Sequence, residues 1–299
     1  MMRFGLDLGG TKIEIIALDE HGVERHRQRI ATPADDYPAT LTAIVNLVRD
    51  AEYGLGAPGS VGIATPGALS TTTGLIKNSN SSCLNGQPLR DDLEAALQRD
   101  VRIENDANCF ALSEATDGAA SGAASVFGVI LGTGVGGGIV VNGKTIVGAN
   151  AIAGEWGHNP LPWPRADELP GAACYCGRAG CIETWLSGPG FARCFRAMDG
   201  RARDATMIAR GAAEGEPNAL AALDDYCDRL ARGLASVINL LDPDVIVLGG
   251  GLSNISALYA HVPKMWGQYI LSDSVSTRLL PPKFGDSSGV RGAAWLWND

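Results

Sequence analysis

The sequence predicts an α/β protein built from two similar α/β domains that face each other across a cleft. Three observations carry this. The run Phe4-Gly5-Leu6-Asp7-Leu8-Gly9-Gly10-Thr11, with its continuation to Ile16, returns almost residue for residue from Phe127 onward, and a repeat of so long a period is a duplicated domain rather than a solenoid. Strand-like apolar runs alternate with stretches of helical periodicity. The length of 299 residues corresponds to two domains, at about 150 residues each. With 45% hydrophobic and 19% charged residues, the chain has apolar material for sizeable cores.

Taken in order, Arg3–Leu18 reads as a β-hairpin around the Gly9-Gly10-Thr11 turn, because apolar residues flank the turn and the second arm alternates. A third strand is expected over Glu24–Ile30. Helical spacing of Leu41, Ile44, Val45, Leu47 and Val48 predicts a helix over Tyr37–Glu52. Val61–Ala64 is a short buried strand, Leu89–Leu97 a helix and Val101–Ile103 another strand. Glu104-Asn105-Asp106-Ala107-Asn108 then leads into an alanine-rich helix that runs to about Asp117. A Gly/Ala/Ser-rich break at Gly118–Ala124 marks a boundary. The expected domains are 1–117, joined by a C-terminal helix over 288–299, and a larger domain over 118–287. In the second domain a strand beginning at Asp242 enters the turn Gly249-Gly250-Gly251, and Ser253 or Asn254 is the expected N-cap of the helix that follows.

Composition removes several classes of function. With 24 basic and 33 acidic side chains the formal charge is −9, which disfavours a nucleic-acid footprint or a polybasic membrane patch. No apolar run reaches the roughly 18 residues of a spanning helix. The N-terminus lacks the apolar core of a signal peptide, so a cytoplasmic location is expected. The 39 glycines are nearly twice the average share of about 7%, and their place after apolar strands points to turns and close backbone approaches.

Three glycine turns follow apolar strands, at Gly9–Gly10, at Gly132–Gly138 and at Gly249–Gly251. Glycine lets backbone N–H groups approach phosphate oxygens. Gly132, Gly134 and Gly137 have Gly-x-Gly-x-x-Gly spacing, yet they precede a strand rather than a helix, which argues against a dinucleotide site of Rossmann type. Two matched hairpins and a strand–turn–helix instead suggest one nucleotide held between domains. Asp7 ends a strand beside the first turn, where a carboxylate either caps the turn or holds Mg²⁺ against phosphates. The second copy has Ile130 at the corresponding place. Asp106 is a candidate general base and Asn105 a neutral partner for a hydroxyl, although either could simply cap a helix.

Of the seven cysteines, Cys174, Cys176 and Cys181 cluster, and His158 completes the pattern His-x₁₅-Cys-x-Cys-x₄-Cys. A Cys₃His set of this kind suits a closed, structural Zn²⁺. Glu155 and Glu183 bracket the ligands, so the metal would order a loop that offers two carboxylates to hydroxyl groups. Cys83, Cys109, Cys194 and Cys227 are scattered and read as small apolar side chains.

These residues make the chain similar to the ROK family of sugar kinases, within the wider group with actin/hexokinase-like (ribonuclease H-like) α/β domains. The likeness runs from Asp7-Leu8-Gly9-Gly10-Thr11-Lys12 through Glu104–Asn108, Leu131–Gly138, Glu155–His158 and the cysteine loop with Glu183 to Val247–Gly251. Segments Lys77–Asn80, Leu84–Leu89, Asn159–Trp163 and Gly285–Trp297 resemble the bacterial manno(fructo)kinases, while Cys83 stands where related fructokinases often carry an aromatic residue. The resemblance implies an ATP-dependent kinase acting on the 6-hydroxyl of fructose, and of mannose, with glucokinase, allokinase or N-acetyl-hexosamine kinase as alternatives. It implies Asp106 as the base, and Asn80, Asn105, Asp106, Glu155, His158 and Glu183 around the sugar. Asp7, Gly9, Gly10, Thr11, Lys12, Gly132, Thr133, Gly134, Gly136, Gly249, Gly250 and Gly251 would serve the nucleotide, Asp7 by helping to place Mg²⁺. His158, Cys174, Cys176 and Cys181 would bind Zn²⁺, and a homodimer is common among such proteins. A sugar-responsive transcriptional regulator is the non-enzyme alternative; with the first strand beginning near Arg3, no N-terminal helix-turn-helix is expected.

Overall fold

The computed structural model describes residues 1–33 and 35–297. Its elements run β1 (Met2–Leu8), β2 (Lys12–Leu18), β3 (Glu24–Ala31), α1 (Tyr37–Leu55), β4 (Gly59–Thr65), β5 (Ala68–Leu69), β6 (Ile76–Lys77), α2 (Leu89–Leu97), β7 (Val101–Asn105), α3 (Asp106–Thr116), β8 (Ser125–Leu131), β9 (Val135–Val141) and β10 (Lys144–Thr145). They continue α4 (Ile182–Leu186), α5 (Gly188–Asp199), α6 (Ala205–Ala213), α7 (Pro217–Leu241), β11 (Val245–Gly249), α8 (Ala257–Met265), β12 (Arg278–Leu280) and α9 (Ser288–Trp295). The final helix expected over 288–299 therefore ends at Trp295, and Asn298 and Asp299 lie outside the described residues.

The duplication read from the repeat is present in the topology. One sheet has the order β3-β2-β1-β4-β7 and the other β10-β9-β8-β11-β12. In the first, β1 pairs antiparallel with β2 and parallel with β4, which pairs parallel with β7. In the second, β11 pairs parallel with both β8 and β12.

The chain divides into two compact units, one formed by Met1–Gly122, Gly138–Ala153 and Lys283–Asp299, the other by Ala123–Gly137 and Gly154–Pro282. This moves the expected boundary from 117/118 to 122/123 and gives the arm Gly138–Ala153 to the first unit. The reason is packing. A Cβ at Gly138 would lie 2.3 Å from the Ala107 carbonyl oxygen of α3, and Lys77 Nζ donates to the Asn150 carbonyl at 2.8 Å.

In the first unit the two faces of the sheet have different coverings. Phe4, Leu6 and Leu8 of β1, Ile13 and Ile15 of β2 and Val61 and Ile63 of β4 bury together with Ile44 and Val48 of α1 and Leu89 and Leu93 of α2. Helix α1 starts at Asp36, whose carboxylate accepts from Ala39 N, and stops at Gly56, which takes φ 63°. On the other face, glycines of β1 and β4 leave bare backbone where α9 crosses. A Cβ at Gly5 would sit 2.2 Å from the Val290 carbonyl oxygen, and one at Gly62 1.9 Å from that of Ala293, so only glycine admits the helix this close. In the second unit α7 is the central buried helix, with Tyr226, Leu230, Leu234 and Ile238 inside. The helix expected to start at Ser253 or Asn254 instead begins at Ala257 after a 3₁₀ turn. Ser253 Oγ donates back to the Gly250 carbonyl and Asn254 Nδ2 to that of Gly251, so neither side chain caps the helix.

Candidate functional site

In the first unit, strand register lines up a polar row. Arg29 of β3 lies opposite Glu14 of β2, Glu14 opposite Asp7 of β1, Asp7 beside Ala64 of β4, and Ala64 beside Glu104 of β7. Paired residues point to the same side of a sheet, so this row shares the face covered by α9. A Cβ at Gly289 of α9 would come within 3.8 Å of Asp7 Oδ2. Burial, and then the charges of Asp106 and Glu14, push the Asp7 carboxyl up to about 6 against the opposing pull of Lys12 and Arg29. Glu14 is almost fully buried between Arg27 and Arg29 Nη2, the latter at 2.7 Å. Burial likewise raises Glu104, whose Oε1 accepts from Asn105 N at 2.8 Å and Asn108 Nδ2 at 3.1 Å.

The expected polar pentapeptide sits at the β7–α3 junction, and the structure divides its roles. Asn105 is the cap, its Oδ1 accepting from Asn108 N at 2.8 Å. Asp106 is the first helical residue, is solvent-exposed, and accepts from Ala107 N at 2.8 Å. A carboxylate in the first turn of a helix suits the positive end of the helix dipole. The first glycine turn is closed by Gly9 N donating to the Lys12 carbonyl at 3.0 Å and anchored by Thr32 Oγ1 on the Gly9 carbonyl at 2.7 Å. Ser81 Oγ lies 3.5 Å from where a Cβ of Gly10 would stand, so the loop that carries exposed Asn80 runs beside this turn. Cys83 packs half-buried against the apolar core of the unit.

In the second unit, Gly132 and Thr133 of the second glycine turn and Gly251 open onto one cavity of about 1150 Å³. Small side chains of α5, α6 and α8, Ala192, Ala209 and Ala260 among them, share its remaining wall with Leu220, Leu223 and Asp224 of α7. Other residues of the expected nucleotide set lie elsewhere. Gly249 is buried at the end of β11. The Gly136 carbonyl accepts from Trp156 Nε1 at 3.0 Å. Gly250 takes φ 77°, and a Cβ there would lie 2.5 Å from the Leu131 carbonyl oxygen. Val135 N donates to Glu183 Oε2 at 2.9 Å, and Gly134 needs its missing side chain because a Cβ would lie 2.7 Å from the same oxygen. Glu183 therefore ties the glycine turn to the cysteine loop.

The metal-ligand pattern is brought together in space. The donor atoms of His158, Cys174, Cys176 and Cys181 all lie within 4.8 Å of one another. Cys174 Sγ is 3.6 Å from His158 Nδ1, and Cys176 Sγ 3.6 Å from Cys181 Sγ. Four ligands around Zn²⁺ at about 2.3 Å for sulfur and 2.0 Å for nitrogen stand roughly 3.5–3.8 Å apart, so this donor set fits the ion. The loop is set by Ile182 N donating to the Asn159 carbonyl and Leu161 N to that of Gly180. The Arg178 backbone N–H draws the Cys176 thiol down to about 7. Glu155 is exposed just before the 3₁₀ turn Trp156–His158.

One residue at this site was not singled out by its sequence context. Tyr175 stands between two cysteine ligands with its hydroxyl 2.9 Å from His158 Nε2 and its ring edge-on to the imidazole at 5.1 Å. Desolvation at the hydroxyl, then the charges of Glu183 and Glu155, push the phenol up to about 12.

One α/β unit thus carries the carboxylate row, and the other, of the same strand order, carries the cavity and the Cys₃His cluster. The model of the ROK family matches residues 3–299, and the chain belongs to that family, among its sugar kinases. It is 42% identical over 299 residues to an N-acetyl-D-glucosamine kinase of Yersinia pseudotuberculosis serotype O:3 (strain YPIII), covering 99% of this chain and 98% of the relative. The ROK hexokinase of Thermus thermophilus superposes with a TM-score of 0.87 at 32% identity, over 98% of this chain and 97% of that one. A ROK glucokinase from Streptomyces griseus, solved with glucose and AMPPNP, gives a TM-score of 0.78 at 28% identity, over 99% of each chain. The expected actin/hexokinase-like fold is thus the observed one.

Proposed function

We propose that this ROK-family sugar kinase transfers the γ-phosphoryl of ATP to the 6-hydroxyl of N-acetyl-D-glucosamine. The observation that carries the choice of sugar is the 42% identity to an N-acetyl-D-glucosamine kinase across nearly the full length of both chains. This favours the N-acetyl-hexosamine alternative over fructose, the sugar suggested by the manno(fructo)kinase-like segments.

In this reading the cavity beside Gly132, Thr133 and Gly251 takes the adenosine, an apolar slot for a flat base. The glycine turns offer backbone N–H groups to the phosphates. Asp106 accepts the proton of the acceptor hydroxyl as its oxygen attacks in line. Asn105 combines capping of α3 with an amide available to sugar hydroxyls. Asn80, Glu155, His158 and Glu183 complete the sugar's polar contacts. Asp7, with Glu104 on the same sheet face, attracts the cation that accompanies ATP, while Glu14 is taken up by Arg27 and Arg29. Mg²⁺ bound there would offset the charge of the phosphate oxygens. Zn²⁺ would be held by His158, Cys174, Cys176 and Cys181, where it supplies structure rather than chemistry because four protein ligands leave no open position.

The test is a coupled assay of ADP release over N-acetylglucosamine, N-acetylmannosamine, glucose, fructose and mannose. The reading expects the highest kcat/KM with N-acetylglucosamine. A preference for fructose or mannose by tenfold or more would return the specificity to the manno(fructo)kinase type.

A further inference from the structure

The phenol of Tyr175 occupies the ring nitrogen of His158 that faces away from the cysteines. His158 Nδ1 points toward Cys174 Sγ at 3.6 Å, so Nε2 is the atom left for a second partner, and that partner is the Tyr175 hydroxyl at 2.9 Å. A metal-bound imidazole carries its proton on the other nitrogen and donates it. With Nδ1 on the metal, Nε2–H donates to the phenol oxygen. The tyrosine itself is 84% exposed and is held by this hydrogen bond and one edge-to-face ring contact. Its backbone is pinned by Cys174 on one side and Cys176 on the other, while its side chain can leave the imidazole without uncovering a core.

We infer that Tyr175 is a specificity-determining residue that holds the place of a sugar hydroxyl on His158 Nε2 and gives way when sugar binds. The inference rests on the proposed role of His158 at the sugar, and it is independent of which hexose is preferred. Its consequence for binding is a competition. A hydroxyl that replaces the phenol exchanges one hydrogen bond for another, so the tyrosine lowers affinity for every sugar that uses this nitrogen. It also keeps Nε2 satisfied when a sugar lacks the hydroxyl at that place. The penalty for a missing partner, which otherwise rejects such analogues strongly, is thereby softened.

The experiment titrates the hexose that the wild-type enzyme phosphorylates best into zinc-loaded wild-type and Tyr175→Phe protein by calorimetry, without nucleotide. Phenylalanine keeps the ring contact and removes the competing hydroxyl. Loss of one net hydrogen bond from the sugar-free state predicts a Kd about 2- to 10-fold tighter, with the KM for ATP and the zinc content unchanged. The discrimination against singly deoxygenated versions of that hexose should widen at one position. Unchanged or weaker sugar binding in Tyr175→Phe would overturn the proposal. So would loss of zinc, which would make the hydroxyl a support of the metal ligand. Glu155→Gln run in parallel separates the two levels. Unchanged sugar affinity there removes the sugar site around His158 altogether, whereas weakened affinity there without a gain in Tyr175→Phe removes only the role of the tyrosine.

Discussion

Asp7 and Asp106 are both acidic residues at strand ends, yet their surroundings differ. Asp106 is exposed in the first turn of α3, while Asp7 is enclosed beneath α9 with two further carboxylates in its row. Asp106→Asn removes the proposed proton acceptor and keeps the shape, so kcat should fall by at least about 100-fold, the low end for general-base catalysis, with sugar affinity nearly intact. Turnover close to wild type would end the assignment. For Asp7 the sign of the pH effect follows from its raised pKa. Between 3.8, the ordinary value, and about 6 the folded state binds a proton that the unfolded state has released. Stability from this group is therefore present at low pH and lost as pH rises through about 6. Asp7→Asn should raise stability at pH 8 by up to about 3 kcal/mol, each pKa unit being worth about 1.4, and leave it unchanged near pH 3.5. Denaturant unfolding at the two pH values measures both. On the role proposed for Asp7 beside Mg²⁺, cation-dependent activity of the wild type should decline as pH falls below about 6, because a protonated carboxyl attracts no cation. Equal stability of the variant and wild type at pH 8 would mean that burial of Asp7 costs nothing.

At the scale of elements, α9 and α3 form a clamp behind the carboxylates. Glu114 of α3 is fully buried and accepts from Ser288 Oγ at 2.6 Å, Ala119 N at 2.8 Å and Lys283 N at 3.1 Å. The helices touch backbone to backbone, since a Cβ at Gly292 would lie 1.7 Å from the Cys109 carbonyl oxygen. Gly292→Ala should cost about 3 kcal/mol or more, the upper range of overpacking, and should reduce kcat as well, because α3 carries Asp106. Wild-type stability in this variant would show that the helices can slide apart. The hairpin β1–β2 was legible because its turn residues and alternation agree, and Asp7 stood out as a charge ending an apolar strand. The row formed with Glu14 and Glu104 was not, because register between strands is a long-range property. Nothing in the alanine pattern of α6 marks it as cavity wall: small side chains make a slot by what they leave out, which no motif records. Ser253 and Asn254 have cap-type side chains, but the sharp turn at Gly250 brings nearby carbonyls within their reach, and local bonding took them away from the helix.

For the molecule as a whole, duplication explains why the two units share a strand order and differ in chemistry. The substitution of Ile130 for the repeat's Asp7 leaves the second hairpin without that carboxylate, and the second unit contributes the cavity and the metal-ligand loop instead. The clustering of His158, Cys174, Cys176 and Cys181 was readable from spacing, because a tetrahedral site of the proposed kind demands donors that a short loop can bring together. The link through Glu183 was not readable, since it joins residues 48 positions apart. That link makes metal removal a test of the architecture. Cys181 is two residues before Glu183, whose carboxylate holds Val135 N at the glycine turn at 2.9 Å. Releasing the proposed ion would free His158, the cysteine loop and the start of α4 together. Dialysis against a chelator should remove about one zinc per chain, as metal analysis would count. The KM for sugar should then rise by about tenfold or more, in the range seen when the support of a metal ligand is lost. Because Glu183 also orders the turn beside the cavity, the KM for ATP should rise in the same preparation, and restoring Zn²⁺ should reverse both. A metal-free enzyme with unchanged KM for sugar would break the coupling, leaving the Cys₃His loop a local staple with no reach into the site.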